Sequence, residues 1–315
     1  MGRPEQRHVS RSARLDGAGM KGPLVWLNMD QTELDAAYNQ TLYAPNQQQV
    51  LQRYADNSEA ACTRIGSPRR FAYGDSAIEG LDVYPTDRPN APIAIFIHGG
   101  AWRAGLACNY GFFAELLVHR GAHLVVPDFA AVQDVDGNLG TLADQVKRAV
   151  AWVYRHAARF GGDSQRIHVL GHSSGAHLAG LVLTTDWASQ FGLPQDLVKS
   201  GLCCSGIFDL KPVRLSARSS YVHLTDESEQ AMSAQRHIGW LNAPLIVAYG
   251  TLETPEFQRQ SRDFAVAVAG AGKPVQLLVA ENLNHFEIIE TLAQADSLLG
   301  RAALVQMGLL AGVAS

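Results

Sequence analysis

Ser173 is the residue of this sequence best placed to act as a nucleophile. It is the centre of Gly171-His-Ser-Ser-Gly175, which follows the apolar run that begins at Ile167 and precedes an apolar helix pattern from Ala176. A strand, Gly-x-Ser-x-Gly and a helix in that order predict a sharp turn that holds the serine strained above the sheet. The glycines leave room for the turn, and the first N–H groups of the helix point to the same place. The context therefore predicts nucleophilic catalysis, although the five-residue motif alone would also suit an ordinary turn.

His285 is the expected base. A serine hydroxyl is a weak nucleophile at neutral pH and needs a base within hydrogen-bond reach. His285 lies in Asn282-Leu-Asn-His285-Phe, after the predicted strand 275–279 and before a predicted helix. The sequence has 11 histidines. The position of His285 after the last strand, rather than its residue type, therefore singles it out.

The acid should follow the predicted strand 245–249, because enzymes with this elbow carry their partners in the order serine, acid, histidine. The segment Gly250-Thr-Leu-Glu253-Thr-Pro-Glu256 offers two carboxylates. We expect Glu253 to hold the imidazole of His285 in its tautomer and to stabilise the imidazolium. Glu256, expected in the first turn of the next helix, and Asp209, after the predicted strand 201–205, remain alternatives.

The loop His98-Gly99-Gly100-Ala-Trp102 is the candidate oxyanion hole. It follows the continuous apolar run 93–97, which is typical of a parallel strand buried on both faces. Acyl transfer needs N–H groups aimed at the charge that develops on the carbonyl oxygen. We expect these donors from the backbone of Gly99, Gly100 and Ser174.

Composition excludes several classes of protein. With a net charge of −4 and no basic stripe, we expect no nucleic-acid partner and no electrostatic membrane partner. No run of about 18 apolar residues occurs, so we predict no transmembrane helix. The four cysteines form no Cys-x-x-Cys pair. They suit free thiols in a reducing compartment, so we expect a cytoplasmic protein.

No cofactor or metal is expected. His98, His172 and His177 lie in the motifs above, but no His-x-x-Glu-His or similar ligand spacing is present. We interpret His172 and His177, which flank the elbow, as packing or supporting groups. The expected partner is a small-molecule substrate with an aromatic leaving group, and a homodimer is compatible with the sequence.

The pattern of the whole sequence predicts one α/β domain, residues 30–315. A disordered extension or leader, residues 1–29, is expected to precede it. Strands alternate with helices, which predicts a mostly parallel central sheet with helices on both faces. An N-terminal helical segment, residues 30–60, begins with the capping-box pattern Thr32-x-x-Asp35. Residues 211–237 are polar and irregular and predict an insertion that roofs the site. A hairpin is predicted at 70–73 and 80–84, and helices at 110–120, 141–160, 176–186, 255–269 and 286–299.

These motifs resemble a known family. From about Leu34 onward the chain resembles an α/β-hydrolase of the kynurenine formamidase (arylformamidase) type, close to the hormone-sensitive-lipase-like esterases. Formamidases of this family carry His-Gly-Gly-x-Trp, as found here at residues 98–102, whereas the related esterases carry a third glycine after the first two. The other matching segments are Leu34-Asp-Ala-Ala-Tyr38-Asn39, the elbow through His177, Ser205-Gly-Ile-Phe-Asp209 and Glu256-Phe-x-Arg259-Gln-Ser.

The resemblance implies a serine hydrolase that removes a formyl group from an aryl amide such as N-formylkynurenine through an acyl-enzyme. Ser173, Glu253 and His285 stand at the family's catalytic positions, although the acid there is more often Asp. Trp102 and Tyr221 are the candidate substrate-pocket residues, and residues 219–224 depart from the usual family sequence. The alternatives are a broad-range carboxylesterase and a non-catalytic ligand-binding scaffold.

Overall fold

The apolar runs predicted as strands form the centre of an eight-stranded sheet in the computed structural model, which describes residues 21–310. A separate two-stranded sheet lies at the start of the described chain. The strands are β1 (Leu24–Trp26), β2 (Met29–Asp30), β3 (Arg69–Ala72), β4 (Gly80–Tyr84), β5 (Ala91–Ile97), β6 (His123–Pro127), β7 (Gly162–His172), β8 (Val198–Cys204), β9 (Leu245–Gly250) and β10 (Val275–Ala280).

The large sheet has the strand order β10-β9-β8-β7-β5-β6-β4-β3. The pairings from β10 through β6 are parallel, and the predicted hairpin β3–β4 adds two antiparallel strands at the other end. Successive side chains of a strand pack into two different cores, one on each face of the sheet. In β5, for example, Ile95 packs in one core and Phe96 in the other. The predicted mostly parallel sheet, buried on both faces, is confirmed.

Helices cover both faces of the sheet. None of those within residues 21–310 is both long and apolar enough to cross a membrane. They are α1 (Gln31–Ala37), α2 (Gln47–Ile65), α3 (Ala114–His119), α4 (Leu139–His156), α5 (Ser174–Leu183), α6 (Trp187–Phe191), α7 (Lys211–Leu215), α8 (Asp226–Met232), α9 (Pro255–Gly270), α10 (Glu287–Glu290) and α11 (Leu298–Gln306).

The start of the described chain differs from the prediction. Residues 24–30 form the paired strands β1 and β2, so the predicted extension 1–29 does not continue to its expected end; residues 1–20 lie outside the described residues. The N-cap of α1 is Asp30, whose carboxylate accepts from the N–H of Glu33 while Glu33 accepts from the N–H of Asp30. The predicted capping box at Thr32 is therefore wrong by two residues, because Asp30 provides the same bonds earlier.

Two helix predictions were also wrong. The predicted helix 110–120 begins only at Ala114, after a 3₁₀ turn at Ala107–Tyr110. The predicted helix 286–299 is broken into α10, a 3₁₀ turn at Thr291–Ala293 and α11. The chain folds back there so closely that a Cβ on Gly300 would lie 2.0 Å from the carbonyl oxygen of Gln294.

The carboxyl ends of the parallel strands bring the predicted site residues to one end of the sheet. The glycine loop follows β5, Ser173 follows β7, Glu253 follows β9 and His285 follows β10. Parallel strands place their carboxyl ends together, so residues far apart in sequence meet in space.

Candidate active site

Ser173 occupies the sharp turn between β7 and α5. Its backbone has φ 57° and ψ −125°, a conformation that costs a non-glycine residue about 1–3 kcal/mol. A Cβ on Gly171 would lie 2.5 Å from the carbonyl oxygen of Gly175. One on Gly175 would lie 2.1 Å from the carbonyl oxygen of Ile97. Any side chain at these two positions would collide with backbone atoms, which cannot move aside, so both positions require glycine.

The hydroxyl of Ser173 lies 2.8 Å from Nε2 of His285, and Nδ1 of the same imidazole lies 2.7 Å from Oε2 of Glu253. Glu253 and His285 are almost completely buried, and Ser173 is 8% exposed. With Nδ1–H donating to the carboxylate, Nε2 is the acceptor for the serine hydroxyl. This arrangement is suited to removing a proton from the hydroxyl as it attacks a carbonyl.

The second oxygen of Glu253 is also bonded. Oε1 accepts from the hydroxyl of Ser205 at 2.6 Å and from the N–H of Gly250 at 2.7 Å. Ser205 is fully buried at the end of β8, with its own backbone at φ 54°. These two donors fix the carboxylate plane and leave Oε2 for His285.

The two alternative acids lie elsewhere. Glu256 accepts two bonds from the guanidinium of Arg259, at 2.8 and 2.6 Å, in the first turn of α9. Asp209 accepts from the guanidinium of Arg236 at 3.2 Å. Among the three candidate carboxylates, Glu253 is the one hydrogen-bonded to His285.

His172 and His177 hold neighbouring groups of the site in place by hydrogen bonds and do not take part in proton transfer. Nε2 of His172 donates to the carbonyl oxygen of His285 at 2.7 Å, and burial beside that imidazole lowers the pKa of His172 to about 3. His177 accepts from the indole N–H of Trp102 at Nδ1 and donates from Nε2 to the carbonyl oxygen of Met232, at 3.1 and 2.8 Å. Burial lowers the pKa of His177 to about 4, so both imidazoles are neutral.

The predicted oxyanion-hole residues, Gly99, Gly100 and Ser174, differ in their position relative to the cavity above Ser173. Gly100 and Ala101 line the cavity above Ser173, whereas Gly99 and Ser174 do not. A Cβ on Gly99 would lie 3.1 Å from the Cβ of Ser173, so Gly99 packs behind the nucleophile. Ser174 begins α5, where the first N–H groups have no acceptor inside the helix.

The cavity above Ser173 has a volume of about 470 Å³, within the range of small-molecule sites. The N-terminal segment, around α1 and α2, supplies much of its wall, and His285 and Phe286 close one side. Residues 211–237 contribute Arg218. The lining residues are Tyr38, Asn39, Gln40, Thr41, Gln47, Leu51, Tyr54, Gly100, Ala101, Arg103, Ala104, Tyr110, His172, Ser173, Arg218, His285 and Phe286.

Neither predicted pocket aromatic is part of this wall. Trp102 is 2% exposed and packs in the core with its ring edge-on to His177. Tyr221 is half-buried beneath the guanidinium of Arg103, 4.7 Å from its ring centroid. Each aromatic ring instead lies under an arginine that does line the cavity, since Arg218 lies 5.5 Å from a ring centroid of Trp102.

Sequence reasoning missed Ser205, Ala101 and Arg218. The segment Ser205-Gly-Ile-Phe-Asp209 contains one carboxylate, Asp209, so the sequence favours Asp209 rather than Ser205 as its functional side chain. Arg218 stands in an irregular segment with no motif, so no local signal marks it. Among residues 21–310, no group of three or more His, Cys, Asp or Glu side chains is placed to hold a metal ion.

Comparison with known proteins identifies relatives that match most of the chain. The BD-FAE family model matches residues 81–201. Kynurenine formamidase of Salmo salar is 30% identical over 90% of this chain and 98% of its own length. Kynurenine formamidase of Danio rerio is 29% identical with the same coverage.

Solved structures share the fold. A candidate thioesterase from Silicibacter sp. superposes with a TM-score of 0.73 at 23% identity, covering 85% of this chain and 97% of that one. A thermophilic esterase from Thermogutta terrifontis gives 0.64 at 21% identity, covering 80% and 96%. The predicted α/β-hydrolase fold is confirmed.

Proposed function

This chain is a hydrolase of the kynurenine formamidase family of α/β-hydrolases, and we propose that it cleaves N-formylkynurenine to formate and kynurenine. The observation that carries the proposal is the hydrogen-bonded series from Ser173 through His285 to Glu253, which opens into a cavity of small-molecule size. The aromatic side chains of Tyr54, Tyr110 and Phe286 on the cavity wall suit an aromatic leaving group.

In the first half-reaction, Oγ of Ser173 attacks the formyl carbonyl while Nε2 of His285 takes the hydroxyl proton. The carbonyl oxygen becomes an oxyanion. Its proposed donors are the N–H groups of Gly100 and Ala101, which line the cavity, and that of Ser174, which has no acceptor inside α5. His285 then gives its proton to the aryl nitrogen. The C–N bond breaks, kynurenine leaves, and formyl-Ser173 remains.

In the second half-reaction, His285 removes a proton from water, and the resulting nucleophile attacks formyl-Ser173. The same N–H groups stabilise the second oxyanion. The ester bond breaks, His285 returns the proton to Oγ of Ser173, and formate leaves. Glu253 keeps Nδ1–H directed at its carboxylate throughout and stabilises the imidazolium without taking the proton.

A carboxylesterase with broad range is the rival within the same chemistry. Esterase LipC of Mycobacterium tuberculosis is 28% identical over 70% of this chain. An ester needs less help from His285 than an amide, because its leaving group departs without prior protonation. Turnover of an amide is therefore the more demanding test.

The deciding experiment compares kcat/KM for N-formylkynurenine with kcat/KM for p-nitrophenyl acetate and butyrate, using Ser173→Ala as the control. We expect rapid release of kynurenine by the wild type and none by the variant. Rapid ester cleavage with negligible formamide cleavage would favour the carboxylesterase. No turnover of any of these substrates would favour a non-catalytic ligand-binding scaffold.

The cytoplasm is the proposed compartment. Cys62, Cys108, Cys203 and Cys204 are all free, which suits a reducing environment. Fractionation of cells that express the full chain would test the proposal, and recovery of the protein outside the cytoplasmic fraction would contradict it.

A further inference from the structure

The cavity above Ser173 has an unbalanced charge. Among residues 21–310, two of its lining residues are arginines, Arg103 and Arg218, and none is Asp or Glu. The whole chain has a net charge of −4, so this local excess of positive charge is not a general property of the molecule. A cavity of this kind attracts anions and disfavours cations.

Within the part of the chain that the structure describes, Arg218 is held in place by aromatic rings and a backbone carbonyl group rather than by a counter-ion. Its guanidinium lies 5.3 Å from the ring centroid of Tyr38 and 5.5 Å from that of Trp102. One of its N–H groups donates to the carbonyl oxygen of Tyr38 at 2.9 Å. Among residues 21–310, no carboxylate lies within 4.0 Å of this guanidinium.

Holding the Arg218 guanidinium in this position costs free energy unless a ligand accepts hydrogen bonds from its unused N–H groups. Burial lowers the pKa of Arg218, since the guanidinium loses hydration. A guanidinium carries five N–H donors, and one of them has an acceptor within the described part of the chain. The remaining donors form a planar fork that fits the two oxygens of a carboxylate. Other arginines of this protein, such as Arg259, already bind a carboxylate in this way.

We infer that the enzyme selects substrates whose leaving group carries a carboxylate, and that Arg218 binds that carboxylate while Ser173 attacks the acyl group. The inference deepens the proposed function and rests on catalysis at Ser173. Arg103, an exposed residue of the cavity wall whose guanidinium lies over the ring of Tyr221, adds a second positive charge to the cavity. An amino-acid derivative acylated on an aryl nitrogen has the required chemistry.

The test uses two substrate pairs that differ in one negative charge. N-formylkynurenine is compared with its methyl ester, and 4-acetoxybenzoate with methyl 4-acetoxybenzoate. The variants are Arg218→Gln, Arg218→Lys and, as a matched control, Arg262→Gln. Arg262 also lies over a tyrosine ring, that of Tyr249, but does not line the cavity.

We expect the wild type to prefer the member of each pair that carries the free carboxylate. In Arg218→Gln the KM for that member should rise about 10- to 100-fold, the usual value of a hydrogen bond to a charged group. Its kcat on the methyl esters, which lack that carboxylate, should change little, which shows that the variant is folded. Arg218→Lys should recover part of the loss because it keeps the charge without the fork, and Arg262→Gln should match the wild type.

Equal losses on the free carboxylates and on their methyl esters in Arg218→Gln, or no preference in the wild type, would overturn the inference. The two proposals fail separately. An Arg218-dependent preference within the acetoxybenzoate pair, without formamide cleavage, would sink the formamidase function and keep the carboxylate site. Formamide cleavage with equal losses would do the reverse.

Discussion

Glu253 shows how a single residue can be longer than expected and still fit its position. Its side chain folds back so that Oε1 meets the N–H of Gly250, three residues earlier, and the hydroxyl of Ser205. This bend takes up the extra methylene relative to Asp and brings Oε2 to 2.7 Å from His285. The Asp more common in the family is therefore not required by this geometry.

Replacing the acid should separate catalysis from stability. Glu253→Gln should lower kcat by about 10⁴-fold with little change in KM, because an amide no longer fixes the productive tautomer of the imidazole. Glu256→Gln should largely keep kcat. It should lower the free energy of unfolding by about 1–3 kcal/mol, because a neutral amide replaces the buried carboxylate that pairs with Arg259. Steady-state kinetics and thermal unfolding of both variants provide the measurement, and a reversed pattern would contradict the proposed role of Glu253.

At the residue scale, the sequence revealed those side chains whose local motif is distinctive. Ser173 sits in an elbow and His285 in a loop after the last strand, so both could be located without coordinates. Ser205 and Arg218 could not, because their importance depends on contacts made across 48 and 180 residues of chain. Such contacts leave no periodic or motif signal.

At the scale of elements, the elbow works as a unit with the strand beside it. The N–H of Ser173 donates to the carbonyl oxygen of Cys204 at the end of β8, and Gly175 packs on the backbone that leaves β5. The turn is therefore held in its strained form by two neighbouring strands. This support offsets the cost of the positive φ at Ser173.

Adding one methyl group at Gly175 should break this unit. The new Cβ would lie 2.1 Å from the carbonyl oxygen of Ile97 and 2.3 Å from that of His98, so the backbone must shift. We expect Gly175→Ala to lower the free energy of unfolding by about 3 kcal/mol and to reduce kcat. The control is Gly270→Ala at the end of α9, where a Cβ meets nothing within 4 Å. Similar unfolding midpoints for the two variants would argue against the packing described for the elbow.

Strands were easier to predict than helix ends. A continuous apolar run such as 93–97 has few alternatives, because both of its faces must be buried. The helical period of 286–299 continued past the point where the chain actually turns back. The close approach of Gly300 to Gln294 decides that break, and a contact between two segments is not visible in a periodicity.

At the scale of the whole molecule, the N-terminal segment closes the site. The hydroxyl of Tyr54 in α2 donates to the carbonyl oxygen of Phe286, next to His285. The amide of Asn46 donates to Glu287, so the segment is tied to the loop that carries the base. From sequence, residues 30–60 could be predicted as a helical segment laid over the core and near a site, but the side chains that line the cavity could not be predicted.

Buried neutral histidines should make the whole molecule sensitive to acid. Burial lowers the pKa of His168 to about 4, that of His172 to about 3 and that of His177 to about 4. Between pH 4.5 and 6.5 the unfolded chain binds protons at these positions that the folded chain does not. Stability should therefore fall as the pH drops through this window, by about 1.4 kcal/mol per pH unit for each histidine at most, and level off above pH 7. Thermal unfolding midpoints measured across this range check the prediction, and a midpoint that rises on acidification would refute it.

The most direct test of the account is covalent capture of the nucleophile. The full chain is treated with a fluorophosphonate, and the modified residue is identified by peptide mass spectrometry beside loss of N-formylkynurenine turnover. The account predicts one adduct per chain, on Ser173, formed in step with inactivation and absent from Ser173→Ala. Full activity in the presence of the adduct, or an adduct on another residue that alone accounts for inactivation, would contradict it.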